Sequence, residues 1–76
     1  MNTEQLKALV RSAVLTRAET PPGIARDGGK ILRRMPCPMQ EAWLSLGLPS
    51  ALLLEPEAAI FNAAQRAALA MRKEAA

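Results

Sequence analysis

The sequence TPPGIARDGGKILRRMPCP, residues 20–38, divides the chain into two helical parts. It contains four of the six prolines and three of the four glycines of the 76-residue protein. Proline lacks the backbone N–H that a helix interior needs, and glycine weakens a helix by its conformational freedom. A continuous helix therefore cannot run through these residues, and we interpret 20–38 as a Gly- and Pro-rich connection.

Two structures fit the centre of this connection. In the first, Ile24-Ala25-Arg26 and Lys30-Ile31-Leu32 form a short β-hairpin within residues 24–33, because the glycines after Asp27 supply the positive φ of a hairpin turn. In the second, Asp27 is the N-cap of a short helix that ends near Met35, with Lys30, Arg33 and Arg34 on one face. The sequence leaves both alternatives open.

The residues before the connection predict a helix from Thr3 to Glu19. Thr3 is a suitable N-cap, and Pro21 and Pro22 prevent the helix from continuing. Apolar residues recur at helical spacing along one stripe: Leu6, Leu9, Val10, Ala13 and Val14. We expect this stripe to face the core.

The residues after the connection predict a short helix over 38–46, with Pro38 in the first turn and Gly47 as the C′ residue. Ala42, Trp43 and Leu46 should face inward. Ser50 is expected to cap a turn through residues 52–54.

A last helix is predicted over residues 56–73, starting at Pro56. Its inward stripe, with Phe61 at the edge, comprises Ile60, Ala64, Ala67, Ala68 and Met71. The fold class is therefore mostly α, a single small domain over 1–76 with three or four helices and the short hairpin as an alternative.

The core of this domain must be small. Of the 38 hydrophobic residues, 15 are alanine. Six leucines fall between Leu44 and Leu54, and they form either the centre of the fold or a surface that docks on another chain. The first interpretation is favoured because few other large apolar side chains exist.

The composition excludes the common catalytic and metal sites. Nucleophilic catalysis by Ser or Cys normally needs an adjacent base, and the chain contains no His. Cys37 has no second Cys or His with which to bind zinc, and Gly28-Gly29-Lys30 lacks the spacing of a phosphate-binding loop. We expect no enzyme activity, no cofactor, no metal and no small-molecule substrate.

The net charge of +3 arises in the middle of the chain. Between residues 22 and 40 the bases are Arg26, Lys30, Arg33 and Arg34, and Asp27 is the only acid. Such a cluster is either a solvated loop without a partner or a contact for an acidic protein surface or for nucleic acid phosphates. No aromatic residue accompanies it to stack on bases, which favours a protein partner.

Two further residues, Arg11 and Leu15, are assigned to the same partner-binding set. Leu15 lies opposite the apolar stripe of the first helix and beside Arg11, so it should be exposed.

The compartment is inferred from absences. The N-terminal residues do not have the pattern of a secretory signal, and one Cys cannot form an internal disulfide. The longest uncharged stretch, residues 42–54, is shorter than a membrane span requires. We expect a cytoplasmic protein with no membrane partner.

These observations predict a small, basic, non-enzymatic regulator or adaptor that binds a larger protein or assembly. Phage and bacterial regulators that act on machines such as RNA polymerase, and so regulate transcription, include proteins of this general kind. The alternatives are a nucleic-acid-binding module that uses residues 26–34, and a structural subunit that self-assembles.

Overall fold

Helices account for all the regular structure in the computed structural model, which describes the backbone of residues 2–75 and the side chains of residues 2–73. Residues 1 and 76 of the predicted domain lie outside the described part. The elements are α1 (Thr3–Glu19), α2 (Gly28–Arg34), α3 (Cys37–Ser45), a 3₁₀ helix (Ser50–Leu54) and α4 (Glu57–Ala75). The mostly helical class is confirmed, and no strand occurs within residues 2–75.

Helix α1 has the predicted bounds, but its N-cap is Asn2 and the assignment of Thr3 is wrong. The Asn2 side chain accepts a hydrogen bond from the Gln5 N–H at 2.8 Å, and the Asn2 N–H donates to the Gln5 side chain at 2.9 Å. This reciprocal capping box satisfies two donors that the first turn would otherwise leave free. Leu6, Leu9, Val10 and Ala13 are buried as predicted.

Helix α2 occupies the place of the hairpin alternative, which the structure does not contain. The Asp27 carboxylate accepts hydrogen bonds from the N–H groups of Gly29 at 2.9 Å and Lys30 at 3.4 Å. These bonds start a helix at the position where the hairpin would have turned. Residues 22–26, including the proposed first strand, form turns in which Ile24 and Ala25 both donate to the Pro21 carbonyl.

Helix α3 begins one residue before the predicted position and ends at a glycine, as predicted. Gly47 has φ 70°, and its N–H donates to the Leu44 carbonyl while the Leu48 N–H donates to the Trp43 carbonyl. This pair of bonds is a Schellman motif, in which Gly supplies the left-handed residue at C′. Trp43 and Leu48, the two apolar residues that the motif brings together, are both buried.

The core lies between α1, α4 and the layer formed by α2 and the 3₁₀ helix. Arg17 of α1 donates a hydrogen bond to the chain just before α4, whereas Lys7 and Arg11 line a groove with Glu57, the first residue of α4, and Phe61, about one turn further along. The two long helices therefore run in opposite directions. The largest fully buried side chains come from all five elements: Leu9, Ile31, Trp43, Leu53 and Ile60.

The leucine-rich segment divides between core and surface. Leu46, Leu48 and Leu53 are buried, whereas Leu44 is 62% exposed and Leu54 43% exposed. The 3₁₀ helix starts after Pro49, and the Ser50 side chain makes no capping hydrogen bond, so that prediction is wrong. Most of the segment belongs to the core, and two leucines remain on the surface.

Helix α4 extends beyond the core at its C-terminal end. Ile60, Ala64 and Ala68 are buried as predicted, but Met71 is 46% exposed, contrary to the prediction. Every described side chain from residue 69 to residue 73 is exposed. Periodicity along the helix cannot reveal where its neighbours end.

Within residues 2–75, none of the helices combines the length and the apolar character that crossing a bilayer requires.

Candidate functional site

Helix α2 carries three of the four basic residues of the connection, and its inner face is held tightly against the rest of the domain. A Cβ atom placed on Gly28 would lie 2.6 Å from the carbonyl carbon of Ser50 and closer still to the carbonyl oxygen. Only glycine permits this approach of two backbones. Ile31 and Met35, on the same inner side, are 0% and 2% exposed.

The C-terminal end of α2 is held by the next helix. The side chain of Gln40 in α3 donates hydrogen bonds from Nε2 to the carbonyls of Arg33 at 3.1 Å and Met35 at 2.6 Å. Carbonyls at a helix end have no partner within the helix, so this amide satisfies groups that water would otherwise have to reach. With Asp27 at its start and Gln40 at its end, α2 is fixed in place as a short, rigid platform.

The outer face of α2 presents an uncompensated positive charge. We call Arg26, Lys30, Arg33 and Arg34 the basic surface; all four are exposed. Within the described residues none of them forms an ion pair with an acidic side chain. Asp27, the only acid of the connection, is engaged as the N-cap.

Three members of the basic surface line one shallow groove. Lys30, Arg33 and Arg34 surround a space of about 190 Å³ together with Ile24. Arg33 donates from Nε to the Gly29 carbonyl at 3.3 Å, which directs its guanidinium back along the helix. A guanidinium has five N–H donors, so four remain for other partners.

Arg34 also lines a second space, which joins the basic surface to α1. We call it the α1–α2 cavity; its volume is about 220 Å³. Its lining residues are Ser12, Leu15, Thr16, Glu19, Arg34 and Pro36. Leu15 is 57% exposed, so the structure brings together an exposed apolar side chain and a free guanidinium that are 19 positions apart in the sequence.

The remaining two predicted residues lie apart from this cavity. Arg11 lines a different groove, between α1 and α4, with Lys7, Glu57 and Phe61. Arg26 is exposed on the turn that precedes α2 and lines neither space around Arg34. The structure therefore groups Lys30, Arg33, Arg34 and Leu15 around two adjoining spaces, and Arg11, one helical turn before Leu15, lines neither of them.

Arg17 has a structural role that the sequence did not indicate. Its Nη1 donates to the Leu53 carbonyl at 2.7 Å and to the Glu55 carbonyl. These carbonyls lie at the end of the 3₁₀ helix, where acceptors have no helical partner. A charged donor is favourable there, and it joins two segments 36 positions apart. No local pattern distinguishes this arginine from its neighbours.

The aromatic residues are not placed to stack on bases. Trp43 is 0% exposed, and its indole Nε1 has no hydrogen-bond partner among the described residues. Phe61 is half-buried in the groove between α1 and α4, away from α2. The basic surface thus lacks the exposed ring that single-stranded nucleic acid sites commonly use.

The described residues contain one free cysteine and no cluster of metal ligands. Cys37 is free and exposed at the start of α3. No group of three or more His, Cys, Asp or Glu side chains in this part of the chain is arranged to hold a metal ion.

The chain was compared with protein-family models, with curated proteins and with solved structures. None of the three comparisons finds a match.

Proposed function

We propose that this protein is a small, non-enzymatic cytoplasmic regulator or adaptor that binds an acidic surface of a larger protein or assembly. One observation carries the proposal: the four exposed bases of the basic surface have no acidic partner among the described residues. A surface that keeps like charges together pays a self-repulsion cost, which an acidic partner relieves.

The rigidity of α2 supports binding by this surface. Its inner face is buried. The Asp27 side chain accepts a hydrogen bond at its first turn, and the Gln40 side chain donates hydrogen bonds at its end. Bases on such a platform lose less backbone freedom on binding than bases on a mobile loop. The long side chains still lose rotamer freedom, so each exposed ion pair contributes only about 0.2–1 kcal/mol.

A protein partner is favoured over nucleic acid by what surrounds the charges. Leu15 is exposed beside Arg34, and apolar side chains next to a charged groove suit a protein surface. Nucleic acid recognition would gain phosphate contacts from the same bases but no stacking, because the single Trp is buried.

The experiment compares affinity capture by the wild-type protein with capture by the double variant Arg33→Ala, Arg34→Ala. The captured proteins are identified by quantitative mass spectrometry, and the main one is then purified for direct titration. Loss of two exposed ion pairs should weaken the complex about 2- to 30-fold. The wild-type complex should also weaken as salt is raised, because exposed charges are screened.

The matched control is Arg66→Ala with Lys73→Ala, which removes the same charge from the exposed surface of α4. Equal weakening by both double variants would show a general charge effect and contradict the assignment of the basic surface. Binding of generic DNA or RNA in a gel shift, lost in the α2 variant, would establish the nucleic-acid alternative instead. A concentration-dependent oligomer in sedimentation would support the self-assembling subunit.

A further inference from the structure

The α1–α2 cavity combines three chemical features within a small volume. Leu15 and Pro36 supply apolar surface, Arg34 supplies a positive charge and Glu19 a negative one. Although Arg34 and Glu19 line the same cavity, they form no ion pair. Both charges are therefore free to meet a ligand.

The size of the cavity limits what it can accept. Sites for drug-sized molecules have volumes of about 300–1,000 Å³. A space of about 220 Å³ is smaller and suits one side chain of a peptide rather than a whole cofactor. Because Arg34 also lines the basic groove with Lys30 and Arg33, a chain that leaves the cavity past Arg34 meets further positive charge.

We propose that this protein binds an acidic peptide segment of its partner, with one apolar side chain inserted in the α1–α2 cavity and a neighbouring carboxylate on Arg34. The inference rests on the proposed function, because it specifies the partner of the same basic surface. The apolar side chain packs on Leu15, and further acidic residues follow the groove of Lys30 and Arg33.

Glu19 determines on which side of the cavity the acidic residues of the peptide can lie. An acidic residue at the Glu19 side of the cavity would be repelled, whereas one at the Arg34 side would be attracted. The carboxylates of the peptide must therefore lie on the α2 side of the inserted residue. Removal of the Glu19 charge should relieve the residual repulsion and tighten binding of any acidic peptide.

The test uses two short fluorescein-labelled peptides that have Asp and Glu residues on one side of a test position and uncharged residues on the other, with Leu at that position in one peptide and Gly in the other. Binding is measured by fluorescence anisotropy with the full chain at low salt. Partial burial of one leucine should make the Leu peptide bind about tenfold more tightly than the Gly peptide. Arg34→Ala should weaken both peptides, and Glu19→Gln should strengthen both.

The decisive variant is Leu15→Ala. It should abolish most of the preference for the Leu peptide while the Gly peptide binds as before. Leu44→Ala, which truncates an equally exposed leucine elsewhere on the surface, should leave the preference unchanged. Circular dichroism of each variant establishes that it is folded.

The outcomes separate this inference from the proposed function. Equal binding of the two peptides by the wild-type protein, with loss in Arg34→Ala, would overturn the cavity inference and leave the basic surface as the contact. Failure of both peptides to bind would overturn the peptide inference, and the capture experiment with the α2 variant would then decide the proposed function separately.

Discussion

The close approach of α2 to the 3₁₀ helix predicts that Gly28→Ala is the most damaging alanine substitution at any glycine of this protein. The added Cβ would lie 2.6 Å from the Ser50 carbonyl carbon and 3.1 Å from the Ala51 nitrogen. Both atoms belong to the backbone, so no side chain can rotate away. The two helices would have to separate by about 1.5 Å before the Cβ reached ordinary contact distance from the Ser50 carbonyl oxygen.

The expected cost follows from that displacement. Forcing extra atoms into a packed site costs about 1–3 kcal/mol, and a backbone neighbour places this case in the upper part of the range. A chain of this length has a total stability of about 4–11 kcal/mol. We therefore expect Gly28→Ala to remove about 2–3 kcal/mol, a substantial fraction of the free energy of unfolding.

The unfolding of these variants can be followed by the fluorescence of Trp43. It is the only Trp, the chain has no Tyr, and the indole is fully buried in the native state. Its emission should shift to the red on unfolding, so a urea titration followed by fluorescence reports the transition. With a slope of about 1 kcal/mol per molar urea, a loss of about 2 kcal/mol lowers the midpoint by about 2 M.

Two other glycines provide matched controls. Gly23 has no atom within 4 Å of an added Cβ and no positive φ, so Gly23→Ala should be neutral or stabilising by about 0.4–1 kcal/mol. Gly47 has equal space but φ 70°, so Gly47→Ala should cost about 1–2 kcal/mol from backbone strain alone. If the midpoint of Gly28→Ala matched that of Gly23→Ala, the packing of α2 on the 3₁₀ helix would be refuted.

Two further stability predictions concern side-chain hydrogen bonds, and the same urea titration checks both. Arg17→Ala removes the donor to the Leu53 and Glu55 carbonyls and should lower the free energy of unfolding by about 1.5–3 kcal/mol. The control Arg66→Ala, on the exposed face of α4, should lower it by less than about 0.5 kcal/mol. Equal midpoints for these two variants would argue against the long-range contact. Asn2→Ala removes the N-cap of α1 and should cost about 1 kcal/mol, and Asn2→Asp, which keeps an acceptor at the cap, should restore the midpoint. An Asn2→Ala protein as stable as the wild type would contradict the capping box.

The long helices could be predicted from the sequence because their signals are local. The apolar stripe of α1 repeats within a few residues, and Pro21 ends the helix whatever the rest of the chain does. Gly47 likewise ends α3 by its own conformational freedom. The error at the N-cap, where Asn2 acts instead of Thr3, shows the limit of such signals, because both residue types are good caps.

The structure of the connection could not be predicted in the same way, because Gly28 is compatible with both the hairpin and the helix. Gly28 suits a hairpin turn, and it also suits a helix that packs on another backbone. The choice depends on Ser50, which lies 22 positions further along the chain. Asp27 then caps the helix, but a capping residue alone does not make seven residues helical.

For the candidate site, the sequence identified the charges and the structure grouped them. The basic residues follow from composition, and the exposure of Leu15 follows from helical periodicity. Leu15 and Arg34 line one cavity, whereas Arg11 lies in another groove. Both placements depend on how α1 packs against its neighbours. Periodicity describes one helix at a time and contains no information on which helix lies beside it.

The sequence by itself determined the helical class, where α1 and α3 stop at Pro21 and Gly47, and the position of the positive charge, because each depends on residues close together in the chain. Only the tertiary structure decided that residues 28–34 are helical, that Arg17 joins α1 to the 3₁₀ helix and that Arg34 meets Leu15. Each of these requires two segments to meet that are far apart in sequence. The free energy that brings them together comes from burial of the shared core, to which every element contributes.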